Sequence, residues 1–202
     1  MRATTRTPPQ IQPIIPVHRP APFNHADWLF EPKYDGFRGV LYCTGNRSVL
    51  FSKRGNLMKR FQELASLVGN QLGCRAVLDG EIVALGDDGR INFWDLMRGR
   101  GTLAYAAFDV LWLNGRDLRS LSLARRKRRL ERLIPTSNGA LNRVPSFPEE
   151  GRELFDAACS LDLEGIVAKR KADSYRLETA WYKIKNPAYT QAEGRRELFE
   201  RR

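Results

Sequence analysis

The sequence predicts an α+β fold in which antiparallel sheets pack against helices. Short apolar runs alternate with turn sequences, several neighbouring runs are spaced as hairpins, and helical segments occur between them at irregular intervals. The chain has 202 residues, of which 42% are hydrophobic, so it has the length of one domain and enough apolar side chains for its own core. We therefore do not expect disorder over the full length.

A proline-rich arm precedes the predicted domain. Residues 1–25 contain six of the eleven prolines, a density that prevents helix formation, so we expect an extended arm there. The apolar side chains that can pack this arm against the domain are Ile11, Ile14, Ile15 and Phe23. The domain itself is predicted over residues 26–188, and a polar tail over residues 189–202.

Strands and helices follow one another along the domain. Gly45 and Asn46 lie between two strand-like runs and predict a hairpin, and apolar residues after Asn56 recur at helical spacing. Ser122 can cap a later helix that Pro135 ends. The predicted strands are 38–44, 47–53, 75–85, 103–113, 164–170 and 181–185, and the predicted helices are 57–69, 122–134 and 151–160.

The charge balance indicates the kind of partner. The formal net charge is +11, and Lys and Arg neutralise phosphates, so we expect a polyanionic partner. Charge alone does not separate nucleic acid from a nucleotide or from a basic solvated surface. Cys43, Cys74 and Cys159 lie far apart and are odd in number, which argues against a zinc ribbon or a disulfide framework. With no long apolar run and no signal segment, we expect a cytoplasmic, nucleoid-associated protein that does not enter membranes.

The segment Glu31-Pro32-Lys33-Tyr34-Asp35-Gly36-Phe37-Arg38 carries the strongest chemical signal. A lysine beside a turn is suited to act as a nucleophilic amine, because the glycine permits a close backbone approach and the arginine can hold phosphate. On spacing alone, a charged surface loop remains the simpler interpretation.

Residues 33–38 resemble the K-x-D-G-x-R signature of the covalent nucleotidyltransferases, which include ATP-dependent DNA ligases, RNA ligases and mRNA capping enzymes. Five further motifs of that family follow in the same order, at 52–55, 78–82, 107–110, 164–169 and 181–185. The resemblance covers about residues 11–188 and is strongest to bacterial ATP-dependent DNA ligases of the end-joining type. It implies the fold of ligase adenylation domains, which is an α+β, ATP-grasp-like fold of the covalent nucleotidyltransferases.

The resemblance implies that Lys33 is the catalytic residue. This lysine would attack the α-phosphorus of ATP, expel pyrophosphate and carry AMP as a lysyl phosphoramidate. An amine must lose its proton before it attacks, and nearby positive charges favour that loss, so Arg38, Lys183, Lys185 and a divalent metal would activate it. Lys183 and Lys185 are two residues apart and share one strand face, which is also the pattern of an ordinary exposed strand.

The remaining roles also follow from the resemblance. The residues implied to bind the nucleotide are Glu31, Arg38, Arg54, Glu81, Phe108, Lys169, Lys183 and Lys185. Phe108 would stack on adenine, although without the resemblance it would be interpreted as a core residue. Glu81 and Glu164 would hold Mg²⁺ or Mn²⁺, which prefer oxygen ligands, with Asp79 as a supporting acid.

Two further features concern nucleic acid. The basic run 125–129 spans more than one helical turn, so we favour a solvated helix face over a DNA contact. Related ligases continue into an oligonucleotide-binding (OB) barrel after the last motif. The sequence ends about 17 residues after Lys185, which is too short for such a barrel, so we expect no OB domain in this chain.

The sequence thus predicts an ATP-dependent DNA ligase adenylation domain that transfers AMP to a DNA 5′-phosphate for nick sealing in repair or recombination. The expected partners are nicked or broken DNA and a separate OB-fold or end-joining protein, and the chain is expected to be a monomer. Two alternatives remain: an RNA ligase or capping-type nucleotidyltransferase, and a nucleic-acid-binding accessory module that does not seal nicks.

Overall fold

The computed structural model describes residues 7–135 and 139–192. The described part of the chain forms two mainly antiparallel sheets whose inner faces meet across a cleft, with helices on the outer faces. This α+β arrangement confirms the predicted fold class.

The first sheet has five strands in the order β1-β11-β10-β2-β9. These strands are β1 (Val17–His18), β2 (His25–Pro32), β9 (Phe147–Glu149), β10 (Gly165–Arg170) and β11 (Tyr182–Lys185). The second sheet has six strands, in the order β4-β3-β5-β6-β7, with β8 beside β6. They are β3 (Phe37–Cys43), β4 (Ser48–Ser52), β5 (Ala76–Leu85), β6 (Thr102–Leu113), β7 (Arg116–Asp117) and β8 (Leu141–Arg143).

Four α-helices and two 3₁₀ turns complete the described part of the chain. The helices are α1 (Gln62–Leu72), α2 (Phe93–Arg98), α3 (Leu123–Leu133) and α4 (Gly151–Ser160), and the turns are Lys59–Phe61 and Thr190–Ala192. The helices α1, α2 and α3 bury apolar side chains against the second sheet, and α4 packs on the first. No helix in the two described ranges combines the length and apolar character that a membrane crossing requires.

The alternation of side chains along β5 makes the cleft polar. Leu78 and Ile82 point to the core beneath the helices, whereas Asp79 and Glu81 point to the opposite face, because successive side chains of a strand alternate. Asp79 is completely buried there and bonds to Arg38 and Tyr175. Acidic side chains in the middle of the largest sheet therefore face the cleft, on the opposite side from the hydrophobic core beneath the helices.

Most predicted elements are present, with small shifts at their ends. The predicted helix at 57–69 begins later, at Gln62, after a 3₁₀ turn. The short helix α2 was not predicted, because six residues are too few for a helical period to be recognised. Its capping residues do carry a signal: the Asn92 side chain accepts from the Asp95 N–H at 3.0 Å, and Gly99 adopts a φ of 71°.

The proline-rich arm packs on the domain, but not through all the predicted residues. Ile11 and Ile14 are buried, whereas Ile15 is 61% exposed, so its predicted packing is wrong. In an extended segment neighbouring side chains point to opposite sides, so Ile14 and Ile15 cannot both face the domain. At the other terminus Tyr189 is buried and donates to Asp35 Oδ2 at 2.9 Å, so residues 189–192 pack on the domain instead of starting a polar tail. Residues 193–202 lie outside the described ranges.

The basic run 125–129 divides between the two sides of α3. Arg126 and Lys127 are buried, whereas Arg125, Arg128 and Arg129 are exposed. The prediction of a solvated face is therefore wrong for the two buried residues. They share the inward side of the helix with Leu123 and Leu130, which a period of about 3.6 residues places on the same side.

Candidate active site

The strand pairing brings Lys33 and Glu164 together although they are 131 residues apart in sequence. Lys33 follows β2, Glu164 precedes β10, and the two strands are antiparallel neighbours. The Lys33 backbone N–H donates to the Gly165 carbonyl at 2.8 Å, and its Nζ donates to Glu164 Oε2 at 2.5 Å. The predicted nucleophile and one predicted metal ligand thus share one end of the cleft.

Glycines in two motifs permit this close approach of the backbone. A Cβ on Gly36 would lie 2.0 Å from the Ile82 carbonyl oxygen, and a Cβ on Gly165 would lie 2.0 Å from the Ile184 carbonyl oxygen. Gly165 also has a φ of 137°, a conformation that side-chain-bearing residues rarely adopt. A larger residue at either position would push the strands that carry the site apart.

We call the part of the cleft around Lys33, Glu81, Glu164, Lys183 and Lys185 the open end. Lys33 and Lys185 have 22% and 52% of their side chains exposed, and Lys185 Nζ lies 3.6 Å from Glu164 Oε1. The lysines Lys183 and Lys185 extend from the same face of β11. Their positive charges meet those of Lys33 at the same carboxylate.

Glu81 and Glu164 are the two carboxylates of the open end that the sequence predicts as metal ligands. Burial raises the pKa of Glu81 to about 7, Lys33 and Arg38 oppose the increase, and the negative charges of Glu164 and Asp35 add to it. In the described residues no group of three or more His, Cys, Asp or Glu side chains is arranged to hold a metal. Two carboxylates plus nucleotide phosphates are nevertheless an adequate Mg²⁺ site, and a cation there would relieve the repulsion between Glu81 and Glu164.

The positive charge of Lys53 also acts on the open end, although the sequence interpretation did not name this lysine as a site residue. Burial lowers the pKa of Lys183, the positive charges of Lys185, Lys33 and the exposed Lys53 lower it further, and the negative charge of Glu164 opposes them. Arg54, the predicted nucleotide contact, is exposed in the following turn, where its N–H donates to Ser52 Oγ at 3.3 Å. Its role remains a prediction.

Arg38 lies beside the open end with its guanidinium already engaged. It donates to both oxygens of Asp79, at 3.0 and 2.6 Å, and to the Ile14 carbonyl at 2.5 Å. Although burial disfavours its charge, Asp79 raises its pKa above the ordinary value. Tyr175 donates to the same carboxylate at 2.6 Å. In this structure Arg38 therefore connects the arm to β5 and does not present a free guanidinium to a phosphate.

We call the part of the cleft around Glu31, Phe108, Lys127 and Lys169 the buried end. The Glu31 side chain is only 2% exposed and forms ion pairs with Lys127, through Oε1, and with Lys169, through Oε2 at 2.7 Å. Burial lowers the pKa of Lys169 to about 8, against the attraction of Glu31. A buried carboxylate is thus held between two buried ammonium groups.

Aromatic rings surround the Lys169 ammonium on its other side. Lys169 Nζ lies 4.2 Å from the ring centroid of Phe108 and 4.0 Å from that of Trp181. The rings of Phe108 and Trp181 meet edge to face, with centroids 6.0 Å apart. Phe108 is half-buried, so it is neither a pure core residue nor fully open to the cleft. Lys169 lies four residues along β10 from Gly165, toward the buried end and away from Lys33.

A cavity of about 470 Å³ adjoins the cleft. It lies beside Tyr34, Val83, Ala104 and Ala106, and Val83 is on the same face of β5 as Glu81. Its size lies within the range of small-molecule sites.

Lys127 was also missed as a site residue, although a signal exists. On a helical projection it lies with Leu123 and Leu130, the apolar positions of α3, so the helical period alone predicts that it points inward. The sequence does not show that Glu31 would be its partner.

Comparison with known proteins agrees with these motifs and this geometry. A family model described as ATP dependent DNA ligase domain matches residues 21–185. The chain is 32% identical over 168 residues to the multifunctional non-homologous end joining protein LigD of Pseudomonas aeruginosa, across 79% of this chain and 20% of the relative. It is 32% identical over 178 residues to a DNA ligase of Thermococcus fumicolans, across 77% of this chain and 32% of the relative. The chain thus spans a third or less of the length of these two relatives.

Solved structures show the same fold. A mycobacterial DNA ligase D complexed with ATP and MES superposes with a TM-score of 0.75 at 27% identity, covering 86% of this chain and 59% of that chain. The ligase domain of LigD from M. tuberculosis gives the same TM-score and identity, with 60% of its chain covered. From its motifs, its fold and these relatives, the chain belongs to the ATP-dependent DNA ligase family and is an adenylation domain of that family.

Proposed function

We propose that the chain forms a covalent lysyl-AMP at Lys33, as the first step of DNA ligation. The observation that carries the proposal is the Lys33 amine, held 2.5 Å from Glu164 in a cleft where Glu81, Lys183 and Lys185 also lie. A partly exposed amine among opposite charges is accessible to a nucleotide and is fixed in direction.

The chemical step transfers a nucleotidyl group from oxygen to nitrogen. After losing its proton, for which a Glu164 oxygen is an available acceptor, the Lys33 Nζ attacks the α-phosphorus of ATP. A nitrogen–phosphorus bond forms, the bond from the α-phosphorus to the bridging oxygen breaks, and pyrophosphate leaves with that electron pair. Lys183 and Lys185 stabilise the negative charge that develops on the phosphoryl oxygens.

Glu81 and Glu164 would hold the Mg²⁺ or Mn²⁺ that accompanies the nucleotide. The metal would neutralise phosphate charge, which is the chemistry such ions supply in phosphoryl transfer. At the buried end, Phe108 would stack on adenine and Glu31 would accept a hydrogen bond from the adenine amino group. Arg54 and Lys169 would complete the nucleotide contacts, and Arg38 would act through Asp79 and the arm.

In the second step, AMP would pass to the 5′-phosphate of nicked or broken DNA, and a 3′-hydroxyl would displace it to seal the strand. The net charge of +11 and the end-joining name of the LigD relatives support DNA as the acceptor. An OB-fold or end-joining protein would assist this step at the nucleoid.

The first test is the mass of the intact chain. Purified protein is incubated with Mg²⁺ or Mn²⁺ and with ATP, GTP or NAD, and we expect an AMP adduct with ATP that is acid-labile, as a phosphoramidate is. Lys33→Ala abolishes the adduct, while Lys59→Ala, at an exposed lysine in the 3₁₀ turn before α1, retains it. Folded protein that forms no adduct under any condition contradicts the proposal, and a GMP adduct indicates a capping-type enzyme.

The second test identifies the acceptor. The adenylylated protein is mixed with nicked DNA or nicked RNA, and we expect AMP to leave the protein and appear on the DNA 5′-phosphate. Discharge by RNA alone would indicate an RNA ligase instead.

A further inference from the structure

Lys127 lies in the buried end of the cleft, yet it belongs to helix α3, outside all six motifs of the family. Its ammonium contacts Glu31 Oε1, while Lys169 occupies Oε2. The side chains of Lys127, Glu31 and Lys169 are 8%, 2% and 2% exposed. Each carboxylate oxygen thus has one buried ammonium group as a partner.

The neighbouring ion pair fixes the position of Lys127. Arg126 donates through Nε and Nη2 to the two oxygens of Asp109, at 2.9 and 3.0 Å, and through Nη1 to the Leu121 carbonyl at 2.6 Å. Asp109 follows Phe108 on β6, so this pair attaches the helix directly beside the aromatic ring. Lys127 therefore reaches Glu31 from a helix whose rotation about its own axis is restricted by the two hydrogen bonds from Arg126 to Asp109.

The two ammonium groups determine what Glu31 can bind. A lysine ammonium donates hydrogen bonds and accepts none, so Glu31 is held as an acceptor. Although burial opposes ionisation, Lys127 and Lys169 lower the pKa of Glu31. A carboxylate accepts from the amino group at C6 of adenine, whereas the oxo group at C6 of guanine or hypoxanthine offers only an acceptor. A protonated carboxyl could donate to that oxo group and would not discriminate.

We propose that Lys127 is a positioning residue for nucleotide selection: with Lys169 it holds Glu31 as a fixed, ionised acceptor, so that the cleft prefers a 6-amino purine nucleotide to a 6-oxo one. This inference rests on the proposed function of the cleft in binding ATP. Lys127 does not touch the nucleotide in this proposal, and its effect passes through Glu31.

The test compares ATP with ITP, whose bases differ at C6, which carries an amino group in adenine and an oxo group in hypoxanthine, and at N1, which is an acceptor in adenine and carries a hydrogen in hypoxanthine. Equilibrium binding of each nucleotide is measured in the Lys33→Ala background, where no adduct consumes the ligand. We expect Lys127→Met to lower the ratio of ATP to ITP affinity by about tenfold, because a less well-fixed acceptor discriminates less. Lys127→Arg, which keeps the charge, retains most of the ratio, and Arg128→Met, an exposed neighbour on the same helix, leaves it unchanged.

A double substitution separates positioning from a general loss of structure. In a Glu31→Gln background the acceptor has no charge to hold, so adding Lys127→Met should produce no further change in the ratio. Lys127→Met by itself keeps the buried Glu31–Lys169 pair, so we expect it to fold, whereas Glu31→Gln leaves the Lys169 ammonium without its carboxylate; urea unfolding of each variant checks this.

Two outcomes overturn the inference. One is an unchanged ratio in folded Lys127→Met, which includes an equal loss of ATP and ITP affinity. A further fall of the ratio in the Glu31→Gln background also overturns it, since Lys127 would then act independently of Glu31. Absence of an adduct in the natural chain contradicts the proposed catalytic function instead, and the binding ratios still report on Lys127.

Discussion

The open and buried ends of the cleft use the same kinds of charged side chain in opposite ways. At the open end, Lys33 and Lys185 are partly exposed and share one carboxylate, Glu164. At the buried end, Lys127 and Lys169 are almost completely enclosed around Glu31. A partly solvated charge can exchange its partner for a phosphate at small cost, whereas a buried charge that loses its partner is strongly destabilised. The open end is therefore suited to a chemical step, and the buried end is suited to holding its side chains in a fixed arrangement.

The largest expected effect is on stability, next to the buried end. Arg126→Met leaves Asp109, which is fully buried, without its guanidinium, and we expect the free energy of unfolding to fall by about 3–5 kcal/mol. The measurement is urea unfolding. Arg125→Met, at an exposed neighbour, should change it by less than about 0.5 kcal/mol. Equal effects of the two substitutions would contradict the assignment of Arg126 to a buried pair.

At the open end we expect the reverse pattern. Glu164→Gln removes the charge beside Lys33 and should slow AMP adduct formation by about 100-fold. The free energy of unfolding should change by only about 1 kcal/mol, because Glu164 is buried but the ammonium groups that lose it, those of Lys33 and Lys185, are partly exposed to solvent. Single-turnover adduct formation and urea unfolding measure the two quantities, with the exposed Glu178→Gln as control. A large loss of stability with an unchanged rate would mean that Glu164 has a structural role.

The pH dependence of stability sharpens the description of the buried end. The folded-state pKa of Lys169 is lowered from 10.5 to about 8, so between these pH values the unfolded chain binds more protons at this residue than the folded chain. The free energy of unfolding of the natural chain should therefore rise with pH over this window, relative to that of Lys169→Met. Below pH 8 both states are protonated and the difference should be constant. A difference that falls with increasing pH would show that the folded chain does not disfavour this ammonium.

The smallest effect is expected on the outer side of α3. In the double variant with Arg128→Ser and Arg129→Ser, the rate of adduct formation should stay within about twofold of that of the natural chain. The free energy of unfolding should change by no more than about 0.5 kcal/mol per substitution, because both side chains are exposed. Adduct assays and urea unfolding test this. A reduced salt dependence of AMP transfer to nicked DNA would instead favour the DNA contact that the basic run also permits.

Much of the fold could be predicted from the sequence, because the spacing of apolar residues along a strand or a helix is a local pattern. The hairpin around Gly45 and the strands β5 and β6 follow from alternation and turn residues. The short strands β8 and β9 could not be predicted, since three residues carry no measurable period and are held by β6 and β2. Hydrophobicity alone predicts that Ile15 packs the arm against the domain, but it does not say which side of an extended chain faces the domain.

The sequence by itself determined which chemical groups this protein carries and in what order: the six motifs, the lysine between Glu31 and Arg38, and the paired lysines of β11. Only the tertiary structure decided which charges are engaged and which are accessible. Lys169 meets Glu31 across 138 residues, and Arg38 is occupied by Asp79 across 41. The physical reason is that a side chain's type is a local property, whereas its desolvation and its partner depend on segments that folding brings beside it.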